Sequence, residues 1–240
     1  VSTTTAIPPA AEPVTPQPSR AEEVYAQLKR DIADFRLVPG DRFSEHDICN
    51  RLAVSRTPVR QALFRLQQEG LVEVMFRSGW RVLPFDFDRF DQLYDLRMVL
   101  ETTAAQRLCQ QDAAESAPLL EALKDRWLVP VGERSSDATQ VAAWDEAFHE
   151  TLVQAAGNSE MARVHHDVTE RIRIIRRLDF LKQMRIDATY EEHAKILRAI
   201  LARKADRAEL LLRSHIQSSQ VEVRKITLHQ VFLARQAVAG

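Results

Sequence analysis

Asp145 and His149 stand four residues apart in the stretch DEAFHE, inside a long helical pattern. That spacing puts both side chains on one helix face. They are either part of a metal site or two polar residues on a wetted surface. His193 lies in EEHAKILRAI beside Ile196, Leu197 and Ile200. His215 lies in LLLRSHIQ beside Leu211, Leu212 and Ile216. Both therefore sit at the edge of an apolar stripe. Histidine and aspartate projecting inward from several helices are how bundles build metal centres. The set Asp145, His149, His193 and His215 suits a divalent transition metal, zinc first, with nickel or manganese as alternatives. Taken singly, each histidine reads more simply as a satisfied core residue. His165 and His166 are adjacent, cannot both face inward, and are left out of the set.

A second group of residues lies near the other end, in SRTPVRQALFRLQQEG. Ser55 can cap this helix, Pro58 falls in its first turn and Gly70 closes it. Arg56 and Arg60 are four apart and share a face. An arginine can grip guanine O6 and N7 with two hydrogen bonds, worth roughly 1–3 kcal/mol of discrimination. Ser55 and Thr57 can meet phosphates beside the backbone N–H groups of the helix N-terminus. The alternative is that these arginines only solvate a surface helix.

The elements needed to position both groups are legible. The 240 residues, 45% of them hydrophobic, suffice for one large domain or two modest ones. A net charge of −1 gives no global basic field, so any nucleic-acid contact must come from a local patch. Cys49 and Cys109 are far apart, as expected of two reduced thiols in a cytosolic protein. Residues 1–19 hold five of the ten prolines, no aromatic residue and no signal-peptide pattern, which predicts a disordered tail. No apolar run approaches the roughly 18 residues of a membrane span. The expectation is a soluble, cytoplasmic chain with no membrane partner.

From Arg20, the residues Val24, Leu28, Ile32 and Phe35 form a helical core-facing stripe. LVPGDRF breaks it. Ser44 opens a short helix with Asp47 three residues on, a variant of the capping box. LVEVMFRSGWRVLPF reads as a β-hairpin with its tip at Arg77 to Gly79, closed by Pro84. Helix, short helix, turn, helix and hairpin, over residues 20–84, is the order of a winged helix-turn-helix, whose second helix enters the DNA major groove. After a linker at 85–90 come six helical patterns over 91–235 and no further strand, which predicts an all-α six-helix bundle. The fold class is thus mostly α.

The stretch LVPGDRFSEHDICNRLAVSRTPVRQALFRLQQEGLVEV followed by GWRV resembles the DNA-binding domain of GntR-family transcriptional regulators. The resemblance implies DNA contacts at Ser44, His46, Ser55, Arg56, Thr57, Arg60 and the wing tip, Arg77 and Gly79. Two departures stand out. His46 replaces the family's usual arginine, and Trp80 follows the wing glycine where a smaller residue is common; packing is expected of it. LYDLRMVLE, DEAFHETLVQAAGNSEM, EEHAKILRAI and LLLRSHI resemble the ligand-sensing FCD domain of the FadR-like branch. That resemblance implies that the Asp and three His hold a metal, and it places Arg97 in the effector cavity. Arg173 and Arg177 are further effector candidates. Arg97 is otherwise an ion-pair partner of Glu101, and Asn158 either lines the pocket or caps the following helix.

These readings lead to a non-enzymatic regulator, with repression as the default. It is expected to bind operator DNA as a homodimer, under the control of a small carboxylate at the metal-containing bundle. A metal-dependent hydrolase and an architectural DNA-binding protein with a dimerisation bundle are the alternatives.

Overall fold

The computed structural model describes residues 19–76, 78–111, 113–176, 179–180 and 183–239. The expected tail falls outside the described residues except for Ser19. This serine caps helix α1 (Arg20–Ala33), its hydroxyl accepting from the Glu22 N–H at 3.2 Å. Val24, Leu28 and Ile32 of the predicted stripe are buried. Phe35 lies beyond the helix in the left-handed region (φ 56°) and packs edge-on against Phe85.

Strand β1 (Arg42–Phe43) precedes α2 (Glu45–Leu52), and α3 (Arg56–Gln68) follows a tight turn. The Ser44–Asp47 capping box forms as expected. Asp47 N–H donates to the Ser44 hydroxyl at 3.1 Å, and Ser44 N–H donates to the Asp47 carboxylate at 2.8 Å. Ser55 does not act as expected. It occupies the N-cap of α3, yet its side chain makes no capping hydrogen bond.

The hairpin is β2 (Val72–Met75) and β3 (Gly79–Val82), and Arg77 at its tip lies outside the described residues. The sheet has three strands rather than two, in the order β1-β3-β2, all antiparallel. A two-residue strand carries too little alternation to read from sequence. Gly79 has φ +83°, and a Cβ there would stand 2.6 Å from the Phe43 carbonyl oxygen, so β1 approaches closely only because this residue is glycine. Trp80 pairs with Phe43 and Val74 in register, is 4% exposed and meets Phe64 edge-to-face. Its expected role in packing is what the fold shows.

The second module has the six expected helices: α4 (Phe87–Gln110), α5 (Ala113–Trp127), α6 (Ala138–Ala155), α7 (Ser159–Arg176), α8 (Gln183–Leu201) and α9 (Ala205–Ala239). A single 3-10 turn, Val131–Glu133, interrupts the loop before α6. Helix α4 begins inside the segment 85–90 expected as a linker. Asp86 accepts from the Arg89 N–H at 2.9 Å and starts α4 at Phe87. Each module has its own apolar core, and Phe85 packs against both. No described helix is long and apolar enough to cross a membrane.

Trp80 joins the sheet to α3, so Trp80→Ala should lower the stability of the first module by about 3–5 kcal/mol. Chemical denaturation should show this; a loss below about 1 kcal/mol would mean the ring is not part of the core.

Candidate metal centre and nucleic-acid interface

Helix α6 brings Asp145 and His149 one turn apart on its buried face, α8 supplies His193 and α9 supplies His215. One donor atom from each of the four lies within 4.8 Å of the other three. His193 Nε2 is 3.2 Å from Asp145 Oδ1, His149 Nε2 is 3.6 Å from the same oxygen, and the Nε2 atoms of His149 and His215 are 3.2 Å apart. Ligands that share one ion at the usual metal–nitrogen distance must stand about 3.0–3.5 Å from each other.

Two neighbours orient the rings. Glu101 on α4 accepts from His149 Nδ1 at 2.6 Å, and Glu192 on α8 accepts from His215 Nδ1 at 2.6 Å. With Nδ1 carrying the proton, each Nε2 turns a lone pair toward the other ring. Two lone pairs at 3.2 Å repel unless a cation lies between them. His193 Nε2 is buried without a hydrogen-bond partner. Its ring stacks on Phe148 with centroids 3.8 Å apart and meets Trp127 edge-on, so aromatic packing fixes the plane of the ring while Asp145 Oδ1 faces its Nε2.

Charge states suit the same purpose. Burial works against the Asp145 carboxylate, but the Arg176 guanidinium on its Oδ2, with His149 and His193, holds it well below the usual range. Burial pushes His193 well below its ordinary value and His215 down to about 4. The centre thus presents an ionised carboxylate at Asp145 and neutral imidazoles at His193 and His215, the forms that bind metals. The donor set fits a divalent ion.

Around the centre the outcome is mixed. Arg97 is fully buried and donates to Glu101 at 2.6 Å, the alternative to an effector contact; both of its terminal nitrogens lack a hydrogen-bond partner. Asn158 takes the capping role, its oxygen accepting from the Met161 N–H at 3.0 Å. Arg173 pairs with Glu146 at the edge of a cleft, and Arg177 lies outside the described residues. Arg176 was missed, although its spacing of three from Arg173 places both on one face. Glu101, Glu192, Tyr94 and Thr169 were missed as neighbours; Glu101 alone had a signal, as the partner of Arg97. Only one of the paired histidines faces inward: His165 is buried against Glu101 at 3.0 Å, and exposed His166 pairs with Glu150.

In the first module, His46, Ser55, Arg56, Thr57 and Arg60 are all exposed, on α2 and at the start of α3. Among the described residues none pairs with the side chains of Arg56 or Thr57. His46 meets Asn50 at 3.1 Å, Ser44 is engaged in its capping box, and Arg60 donates to both oxygens of Glu45 at 3.0 and 2.8 Å.

These two sites belong to a known combination. The profile of the bacterial regulatory proteins of the gntR family matches residues 20–82, and that of the FCD domain matches residues 92–218. The chain belongs to the GntR family of transcriptional regulators, in the group that carries an FCD domain. It is 29% identical over 192 residues to the Nta operon transcriptional regulator of Aminobacter aminovorans, covering 80% of this chain and 89% of that one. It is 23% identical over 205 residues to the HTH-type transcriptional repressor RspR of Escherichia coli, covering 85% and 89%. Its fold is that of a GntR regulator crystal structure from a Rhodococcus species, with a TM-score of 0.62 at 24% identity over 86% of this chain and 98% of that one.

Asp179, between α7 and α8, gives a test of the bundle's electrostatics. Burial pushes its carboxyl up to about 6, against the pull of Arg185 at 3.2 Å; one of its oxygens has no partner. The folded chain therefore holds this proton more tightly than the unfolded one. Its stability should fall as pH rises from about 4 to about 6 and stay lower above that. Asp179→Asn should remove the loss, stabilising the chain by roughly 1–3 kcal/mol at neutral pH and by little near pH 4. An equal effect of the substitution at both pH values would contradict this origin.

Proposed function

We propose that the chain is an operator-binding repressor whose affinity for DNA is set by a small organic acid bound at a metal-containing sensing module. The observation that carries the sensing half is the meeting of four donors from α6, α8 and α9 within 4.8 Å. Asp145, His149, His193 and His215 would hold the ion, zinc first, with nickel or manganese as alternatives. When bound, the metal supplies positive charge and open coordination positions for a ligand oxygen.

The rest is done by this chain's own residues. Tyr94 Oη, both terminal nitrogens of Arg97, Thr169 Oγ1 and one terminal nitrogen of Arg176 are buried without partners on the facing helices α4 and α7. Each such group costs free energy unless an acceptor meets it. A carboxylate accepts several hydrogen bonds at once and matches the guanidinium fork. Arg97 and Arg176 are therefore the effector contacts favoured, with Arg173 at the mouth of the cleft. Asn158 is not favoured, because its oxygen is already used.

For DNA, Arg56 and Thr57 are the residues favoured for reading, and Arg60 becomes available when it leaves Glu45. His46 and Ser55 are suited to backbone contacts, as is the wing tip. One helix reads few base pairs, so a homodimer on two half-sites is the expected form. Leu96 and Val99 on α4, both exposed, offer apolar surface for that pairing. Repression follows the name of the Escherichia coli relative.

Two measurements test this reading. Protein purified without chelators should carry about one equivalent of a transition metal, and Asp145→Ala should carry almost none; less than roughly a tenth of an equivalent in the unaltered chain would sink the metal centre. Arg56→Ala should weaken binding to a DNA site selected from random sequence by about 1–3 kcal/mol, and relax the preference at one position of each half-site. Unchanged affinity and preference in an anisotropy titration would remove Arg56 from the reading set.

A further inference from the structure

A strip of ion pairs joins the sensing helices to the DNA-reading helix. Arg173 on α7 donates to Glu146 through Nε at 2.8 Å and through a terminal nitrogen, and its other terminal nitrogen pairs with Glu170. The second oxygen of Glu170 lies 3.5 Å from Lys29 Nζ on α1. Lys29 donates to Glu69 at 2.9 Å and to Tyr25 Oη at 2.8 Å, and Tyr25 donates to Glu69 at 2.6 Å. Glu69 is the C-cap residue of α3. The strip therefore begins at Glu146, next in sequence to Asp145, and ends on the recognition helix.

Two of its members are contested. Glu170 is shared by Arg173 and Lys29, and Lys29 is shared by Glu69 and Glu170. At 3.5 Å the Lys29–Glu170 contact is longer than a normal hydrogen bond, while Glu170 is held closely by Arg173. Lys29 is mostly buried and cannot satisfy itself with water alone.

Arg173 also lines a cleft of about 650 Å³ between the modules. Asp145, Glu146, Arg173 and Arg176 line it from the sensing side, and Asp34 and Phe35 from the end of α1. Arg176 is 6% exposed, and one of its guanidinium nitrogens has no hydrogen-bond partner. The volume suits a small organic molecule; Asp34, Asp145 and Glu146 line the cleft beside the two arginines, so the place for an anion is the partnerless Arg176 nitrogen together with the nitrogens that Arg173 releases from its pairs.

We propose that this cleft between the modules is an organic-anion subsite and that Arg173 reports its occupancy to the recognition helix. An anion seated on Arg173 and Arg176 draws Arg173 away from Glu170. The freed carboxylate closes on Lys29, Lys29 loosens from Glu69, and α1 becomes clamped to α7. The ligand thereby has different interactions with two arrangements of the same ion pairs, which is what a shift between them requires. The subsite deepens the sensor reading above and rests on it, but the coupling through Arg173 can be tested without any metal.

Amide hydrogen exchange on the full chain is the test. Arg173→Ala imitates withdrawal of the guanidinium and should slow exchange of the α1 amides from Tyr25 to Ala33 by about threefold or more. Adding Glu170→Gln to that variant should restore the original rates. Arg173→Gln serves the same purpose if the alanine variant folds poorly. Millimolar citrate, as a probe anion, should slow the same amides in the unaltered chain and have no further effect in Arg173→Ala. Unchanged α1 exchange in Arg173→Ala, or equal slowing with and without Glu170→Gln, overturns the coupling. No response to citrate, or an equal response in both chains, overturns the subsite. Zinc uptake by the same samples reports separately on the metal centre, so its failure cannot be mistaken for failure of the coupling.

Discussion

The FCD module depends on burying an ionised aspartate without leaving it alone. An unpaired carboxylate in an apolar bundle would take up a proton or unfold the chain. Asp145 avoids both by dividing its oxygens. Oδ2 meets the Arg176 guanidinium, and Oδ1 faces the nitrogens of His193 and His149. The division has a geometric consequence. Arg176 comes from α7, His149 from α6 and His193 from α8, so one side chain fixes the mutual placement of three helices. A helix shift that improved one of these contacts would break another.

The same constraint explains the ring of carboxylates outside the centre. A neutral imidazole presents only one lone pair, and its direction is free until the other nitrogen is held. Glu101 and Glu192 hold Nδ1 of His149 and His215. Each then needs its own counter-charge to remain ionised. Burial opposes the Glu101 carboxylate, yet Arg97 and the histidines beside it keep it well below the usual range, and Glu192 is lowered in the same way by His215 and Arg185. Arg97, which sequence spacing left divided between an effector contact and an ion pair, is structurally committed on Nε to the pair. Its two free terminal nitrogens leave the other role open as well.

How far the sequence was legible follows from how local each signal is. The capping box at Ser44, the six helices and the wing rest on spacings within a few residues. They formed where periodicity and turn residues placed them. The short strand β1 did not announce itself, because two residues hold no alternation and its partner β3 lies far along the chain. Asp145 with His149 was legible as an i, i+4 pair. That His193 and His215 point at the same spot is a property of tertiary packing; their places beside apolar stripes made them candidates, and the resemblance to a known domain strengthened the link. Glu192 and Tyr94 act across helices, with no periodic mark to single them out, whereas Arg176 shares a helix face with Arg173 and was legible by that spacing alone. Ser55 shows the opposite failure: its residue type suited a cap, but type fixes only the potential for a hydrogen bond.

Charge balance argues for the kind of ligand that completes the centre. Asp145 is paired with Arg176, Glu101 with Arg97, and Glu192 with Arg185. The three carboxylates are thus already neutralised by three guanidinium groups, and burial keeps His193 and His215 uncharged. Asp179 shares Arg185 with Glu192, so of the two positive charges that a divalent ion would bring, at least one has no partner among these groups. A neutral ligand would leave that imbalance in place, whereas an organic anion would remove it and satisfy the partnerless guanidinium nitrogens as well. The same pairing weighs against hydrolysis. A general base must be free to take a proton from water, yet Asp145, Glu101, Glu192 and the flanking Glu146 are each held by an arginine. In the proposed reading, an anion would act through the pairs that it displaces.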